Sequence, residues 1–150
     1  MNEILEKFKS LDPKTILILV GCIAAFAGIE NNLNAEMWAE SGWGEECKTD
    51  DAVDCISSES MNIAETYEKI WGLFIVPIGL LCITAALVLD EKNRAVMAFY
   101  SGSLMLAFFI VFFIFLNSTD YSSPTAEFIV PPFILLGIVI YSGHKHMQVQ

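Results

Sequence analysis

Two stretches of this chain, residues 70–89 and 95–116, run for 20 and 22 residues without a charged side chain. A helix rises about 1.5 Å per residue, so each run can cross the roughly 30 Å hydrocarbon core of a bilayer. In lipid the backbone finds no water to bond, and a helix satisfies its own N–H and C=O groups. Two shorter uncharged runs, residues 15–29 and 128–143, hold 15 and 16 residues and need their flanks to complete a crossing. Lys14 can snorkel at one end of the first, and Glu30 and Glu127 then sit at interface depth. No small-x-small cleavage pattern follows the first run, so it reads as a retained span. Charged residues make up 17% of the 150, against about 25% in an ordinary soluble domain. The expectation is a single all-α integral membrane domain over residues 1–150, a four-helix transmembrane bundle. Its spans fall at about 14–34, 68–89, 95–116 and 126–143, with an outer loop at about 35–67.

The net charge of −10 is concentrated in one place: from Glu30 to Lys69 there are 11 acidic residues and 2 lysines. A chain this acidic lacks the basic clusters that phosphate backbones require, which argues against a nucleic-acid partner. Basic residues in short loops set membrane orientation. Lys7, Lys9, Lys14, Lys92, Arg94 and Lys145 fall on one side of the four spans, Lys48 and Lys69 on the other. Both termini are therefore expected in the cytoplasm and the acidic loop outside. Trp71, Tyr67, Tyr121 and Tyr141 lie at interfacial depths, as amphipathic rings do. Pro77, Pro131 and Pro132 fall within spans, where neighbouring helices re-satisfy the freed carbonyls.

Helices in lipid associate by close packing, which small residues permit. Gly21 with Ala25, and Ala24 with Gly28, have small-xxx-small spacing in span one. Ala98 with Gly102, and Ser103 with Ala107, repeat it in span three, while Gly72 and Gly79 lie seven apart in span two. Phe108, Phe109, Phe112, Phe113 and Phe115 read as a lipid-facing set. Cys22 and Cys82 share a depth and read as small buried hydrophobes.

The outer loop carries Trp38, Trp43, Cys47 and Cys55. In an oxidising compartment, two cysteines eight positions apart are expected to form a disulfide that pins the acidic loop. Ser57, Ser58 and Ser60 offer caps for a helix running through Ile63 and Tyr67 into span two. Residues 34–39 can extend span one above the membrane, with Met37 and Trp38 at the surface. The pair Cys47 and Cys55 between spans one and two resembles the loop cysteines of vitamin K epoxide reductase-like proteins. That family also uses a membrane-embedded Cys-x-x-Cys, which this sequence does not contain. The pattern Trp43-x3-Cys47-x7-Cys55 resembles the Trp…Cys…Cys of claudins, although the Gly-Leu-Trp triplet is missing and the spacing departs from the family's. The likeness is one of architecture, which does not by itself carry function.

Two groups of ionisable residues are candidates for an ion or interface cluster. Glu45, Glu46, Asp50, Asp51 and Asp54 surround the cysteine pair, without the alternate ligands and central glycine of an EF-hand. Glu30, Glu127 and Lys69 meet at one height, where an ion-paired cluster is expected. Asn117-Ser118-Thr119 matches a glycosylation acceptor, and His144 and His146 flank Lys145 in a basic anchor. Both histidines fall in the last seven residues, and neither a P-loop nor an HExxH occurs. Mid-span positions are apolar, small or hydroxyl-bearing (Thr84, Ser101, Ser103), unlike an ion pathway. No metal or cofactor is expected. The expected role is a non-catalytic tetraspan protein, an accessory or structural subunit surrounded by membrane lipids, with a membrane-protein partner or a second copy of itself. The alternative is a small ligand- or cation-binding membrane protein acting through the acidic loop. A transporter or thiol oxidoreductase fits the residues less well.

Overall fold

A computed structural model describes residues 12–42, 58–116 and 126–148. Every element among them is an α-helix: α1 (Pro13–Leu33), α2 (Ala35–Gly42), α3 (Ser58–Val88), α4 (Glu91–Leu116) and α5 (Ala126–Gln148). Three stretches are long and apolar enough to cross a membrane: Pro13–Leu33, Glu59–Val88 and Glu91–Ile114. The expectation of four spans is thus met in three. The apolar run in α5 is 16 residues, short of the ~20 a crossing requires.

Local chemistry sets the helix ends. Asp12 caps α1, accepting from the backbone N–H of Lys14 (2.9 Å) and Thr15 (3.1 Å), with Pro13 in the first turn, where its missing N–H costs nothing. Asp90 does the same for α4, accepting from Asn93 N at 2.8 Å. Across that turn Arg94 Nε donates to the Leu89 carbonyl at 2.6 Å, satisfying an orphan acceptor at the end of α3. Pro77 lies inside α3, and Pro131 and Pro132 inside α5, each within a continuous helix.

The outer segment set at 35–67 is helical at both ends, as α2 and the first turns of α3, where the sequence offers an extension at 34–39 and a helix through Ile63 and Tyr67. The physical reason is burial: Ala35, Ala39 and Ala64 are 2%, 0% and 4% exposed, so small residues continue the α1–α3 packing beyond the apolar run through α2. Helix α3, at 31 residues, is about 46 Å long and overshoots the hydrocarbon core by roughly 16 Å.

The helices form two antiparallel hairpins. In the first, α1 and α3 pack along their lengths with α2 against α3; in the second, α4 packs on α5. Contact between the hairpins is sparser. One end of the molecule, called here the basic end, holds the start of α1, the α3–α4 turn and the end of α5. The opposite, acidic end holds α2 and the start of α3. The shared core comprises Ile16 and Leu17 of α1, Ala86 of α3, Ala98 of α4 and Val139 of α5. All five lie in the half toward the basic end.

Within the first hairpin the backbones touch. A Cβ placed on Gly21 would meet the Gly79 carbonyl oxygen at 2.6 Å, and one on Gly79 the Gly21 carbonyl oxygen at 2.5 Å. Gly28 and Gly72 repeat this reciprocal approach at 2.8 and 2.6 Å. Ala25 packs on Gly79, its nitrogen 2.6 Å from the added Cβ. In the second hairpin, Gly102 faces Val139 and Ile140, and Gly143 faces the backbone of Ala95 and Phe99. Cys22, expected to be buried, is exposed instead, because the buried faces of α1 belong to Ile16, Leu17, Gly21 and Gly28.

These contacts generate a paired test. Gly79→Ala drives a Cβ into backbone and is expected to destabilise the protein by about 1–3 kcal/mol. Gly137→Ala meets nothing within 4 Å and is expected to leave stability unchanged or raised by up to about 1 kcal/mol through helix propensity. Thermal unfolding in detergent micelles measures both.

Candidate functional site

A polar constellation lies at the acidic end of the α1–α3 pair, just beyond the apolar run of α1. Asn31 Nδ2 donates to the Glu68 carbonyl at 2.8 Å and to Glu68 Oε2 at 2.9 Å. Asn32 Nδ2 donates to the Lys69 carbonyl at 2.7 Å. Those carbonyls are within reach because Gly28 and Gly72 hold the two backbones together just below. Helical carbonyls have a second lone pair, so the asparagines bond α3 without breaking its ladder. Sequence reasoning missed this pair of staples. Its only signal is two amides one residue past an apolar run.

Glu30 stands beside the staples. Its Oε1 accepts from Asn34 Nδ2 at 3.0 Å and its Oε2 from Trp38 Nε1 at 2.8 Å. The carboxylate therefore bridges the turn at Asn34 and ties α2 to α1. Lys69, expected to meet Glu30 and Glu127, forms its ion pair with Glu65 instead. The correction has a simple cause: Glu65 precedes Lys69 by four residues on one helix, the favoured order for such a pair. The side chain of Glu127 lies outside the described residues, as do Glu45, Glu46, Cys47, Asp50, Asp51, Asp54, Cys55 and the Asn117-Ser118-Thr119 acceptor. Gly21, Ala25, Gly28 and Gly102 all sit at helix–helix contacts.

In the half toward the acidic end, rings fill the space between helices. Trp71 of α3 stacks on Phe112 of α4 with centroids 5.2 Å apart, and on Phe108 at 6.3 Å. Phe113 reaches Phe133 of α5 at 5.7 Å. Phe108, Phe112 and Phe113 thus join three helices, where the sequence reading had them facing lipid. Phe108 still exposes 48% of its surface, so its ring serves both purposes.

Hydroxyls inside the spans are occupied by their own helices. Thr84, Ser101 and Ser103 donate to the carbonyls of Leu80, Met97 and Phe99 at 2.8, 2.6 and 2.7 Å. Such back-bonding hides a polar group within one helix. His146 Nδ1 similarly approaches the Ser142 carbonyl at 2.9 Å, within α5. Among the described residues, no group of three or more His, Cys, Asp or Glu side chains is arranged to hold a metal ion.

At the basic end, Asp12, Pro13, Lys14, Glu91 and Arg94 line a cleft of about 220 Å³ between the starts of α1 and α4. The Thr15 hydroxyl, donating to Asp12 Oδ2 at 2.6 Å, is the largest influence holding the Asp12 carboxyl below its ordinary range. Asp90 is likewise lowered, first by the Asn93 backbone N–H.

Comparison with protein families, with characterised proteins and with solved structures finds no match to this chain.

Two predictions follow from these bonds. Asn31→Ala and Asn32→Ala are each expected to cost about 0.5–1.5 kcal/mol, measured by thermal unfolding in detergent. Because the folded Asp12 pKa is depressed, its stabilisation is complete above the unfolded value and disappears as pH falls through the folded one. Thr15→Val is expected to raise the Asp12 pKa toward its ordinary value, read from its carboxylate NMR titration.

Proposed function

We propose that this chain is a non-catalytic tetraspan membrane protein serving as an accessory or structural subunit of a membrane complex. The observation that carries the reading is the outward-facing apolar surface of α4. Only 11% of its most apolar window is buried within the protein. Tyr100, Leu104, Val111 and Ile114 are 64–72% exposed along it. A bilayer covers such a face, and a neighbouring transmembrane helix can pack on it. The back-bonded hydroxyls favour a packing role over a conducting one.

In this proposal α5 is the fourth span. Its 23 residues reach about 35 Å, and Gly143 anchors it to α4. The basic end faces the cytoplasm, following the distribution of Lys and Arg. The acidic segment then lies outside, where Cys47 and Cys55 form a disulfide.

The test is extraction of the tagged protein from its host in mild detergent, followed by the mass and composition of the assembly. A stoichiometric second membrane protein is expected; a monomer or homo-oligomer alone overturns the subunit reading. Topology has its own check, an impermeant maleimide applied to intact cells. Cys47 and Cys55 are expected to label from outside only after reduction. Labelling without reductant removes the disulfide, and labelling only in opened cells reverses the orientation.

A further inference from the structure

The cleft at the basic end has an unusual charge balance. Lys14 and Arg94 bring two positive charges to it, and Asp12 and Glu91 two negative ones. These charges do not cancel one another by contact. Among the described residues Lys14 and Glu91 make no side-chain hydrogen bond or ion pair; Arg94 hydrogen-bonds through Nε alone, on the Leu89 carbonyl, and its charge also acts on nearby Asp90. Asp12 already caps the Lys14 and Thr15 N–H groups and Asp90 caps that of Asn93, and the cleft is lined by the side chains of both helix starts. Lys14 and Arg94 each lie immediately before an uncharged run, which puts the cleft at the height of lipid headgroups if the chain spans the bilayer as proposed above.

A ligand suited to this cleft carries one charge of each sign a few atoms apart, at membrane depth. A simple anion is attracted by Lys14 and Arg94 and opposed by Glu91 and Asp12. Recognition of a quaternary ammonium relies on aromatic faces, and among the described residues no ring lines the cleft. A primary ammonium, with three N–H donors, suits a carboxylate. We propose that the cleft binds the zwitterionic headgroup of a phosphoethanolamine lipid. Lys14 Nζ and the terminal guanidinium nitrogens of Arg94 hold the phosphate. Glu91 takes the ammonium group, with Asp12 supplying further negative charge. This inference rests on the membrane reading, and its test separates the two.

The full-length protein is equilibrated in mixed micelles with equal amounts of phosphatidylethanolamine, phosphatidylcholine and phosphatidylglycerol. Native mass spectrometry then counts the lipid retained. Phosphatidylethanolamine is expected to be favoured by about fivefold, the effect of one interfacial charge. Glu91→Gln is expected to shift retention toward phosphatidylglycerol, and Lys14→Gln to lower retention of all three. Neither substitution removes a bond seen in the structure, so folding is preserved. Equal retention of the three lipids, or variants that behave as the parent, overturns the proposal. Displacement by millimolar inorganic phosphate or soluble phosphoethanolamine also overturns it, since the site then takes the free compound. Alkaline carbonate washing of membranes tests the premise: release of the protein removes the membrane reading itself, whereas retention without lipid preference removes only the headgroup.

Discussion

Contact between the α1 and α3 backbones organises the rest of the molecule. Lipid gives two helices no hydrophobic reason to associate, so attraction must come from short-range packing and hydrogen bonds, both of which need proximity. Gly21 against Gly79 and Gly28 against Gly72 supply that proximity at two levels. Each step of seven residues along α1 matches a step of seven back along α3, about 10.5 Å on either helix. Two levels fix the register, since sliding by one residue places a side chain where only a hydrogen fits. The Asn31 and Asn32 amides reach the Glu68 and Lys69 carbonyls because the helices are already this close. The hydrogen bonds are a consequence of the glycines, and they lock the register that the glycines select.

The second hairpin solves the same problem differently at its two ends. Near the basic end Gly143 approaches the α4 backbone, and the shared core is built of Ala86, Ala98 and a few branched side chains. Toward the acidic end the small residues give way to Phe112, Phe113, Phe133 and Trp71, whose rings span distances that small side chains cannot. Close contact excludes lipid at one end, while stacked rings supply contact at the other. Dispersion summed over large faces replaces backbone proximity there.

The helices and their small-residue faces were legible in the sequence because both follow from spacing. Gly21, Ala25 and Gly28 in one run, with Gly72 and Gly79 in another, are a periodic signal. Gly143 was missed because it sits at the polar end of its run, where a glycine reads as a terminator. The bounds 35–67 of the outer segment were governed by polar composition, and the helices offered at its two ends are packed together by three alanines on α2 and α3. The fate of Phe112 was hidden for another reason: a ring facing lipid and a ring stacked on Trp71 have the same sequence signature. For Lys69 the signal was present, since Glu65 four residues earlier competes with the more distant Glu30 and has the shorter loop to close.

The bonding of Glu30 shows how the membrane part is joined to what lies beyond it. A carboxylate at the edge of an apolar helix loses part of its hydration and must recover it from donors. Asn34 and Trp38 are the donors, and both belong to the turn and helix that follow. Satisfying the charge therefore sets the direction in which α2 leaves α1. Ala35 and Ala39 then become buried, and Ala64 on α3 is buried at the corresponding height. The protruding part is consequently a two-helix stalk in register with the glycine contacts below. Residues 43–57, with five of the eleven acidic residues between Glu30 and Lys69, link its two helices in the sequence. The stalk thus continues the same α1–α3 contact from which the bundle is built, the most extensive helix pairing among the described residues.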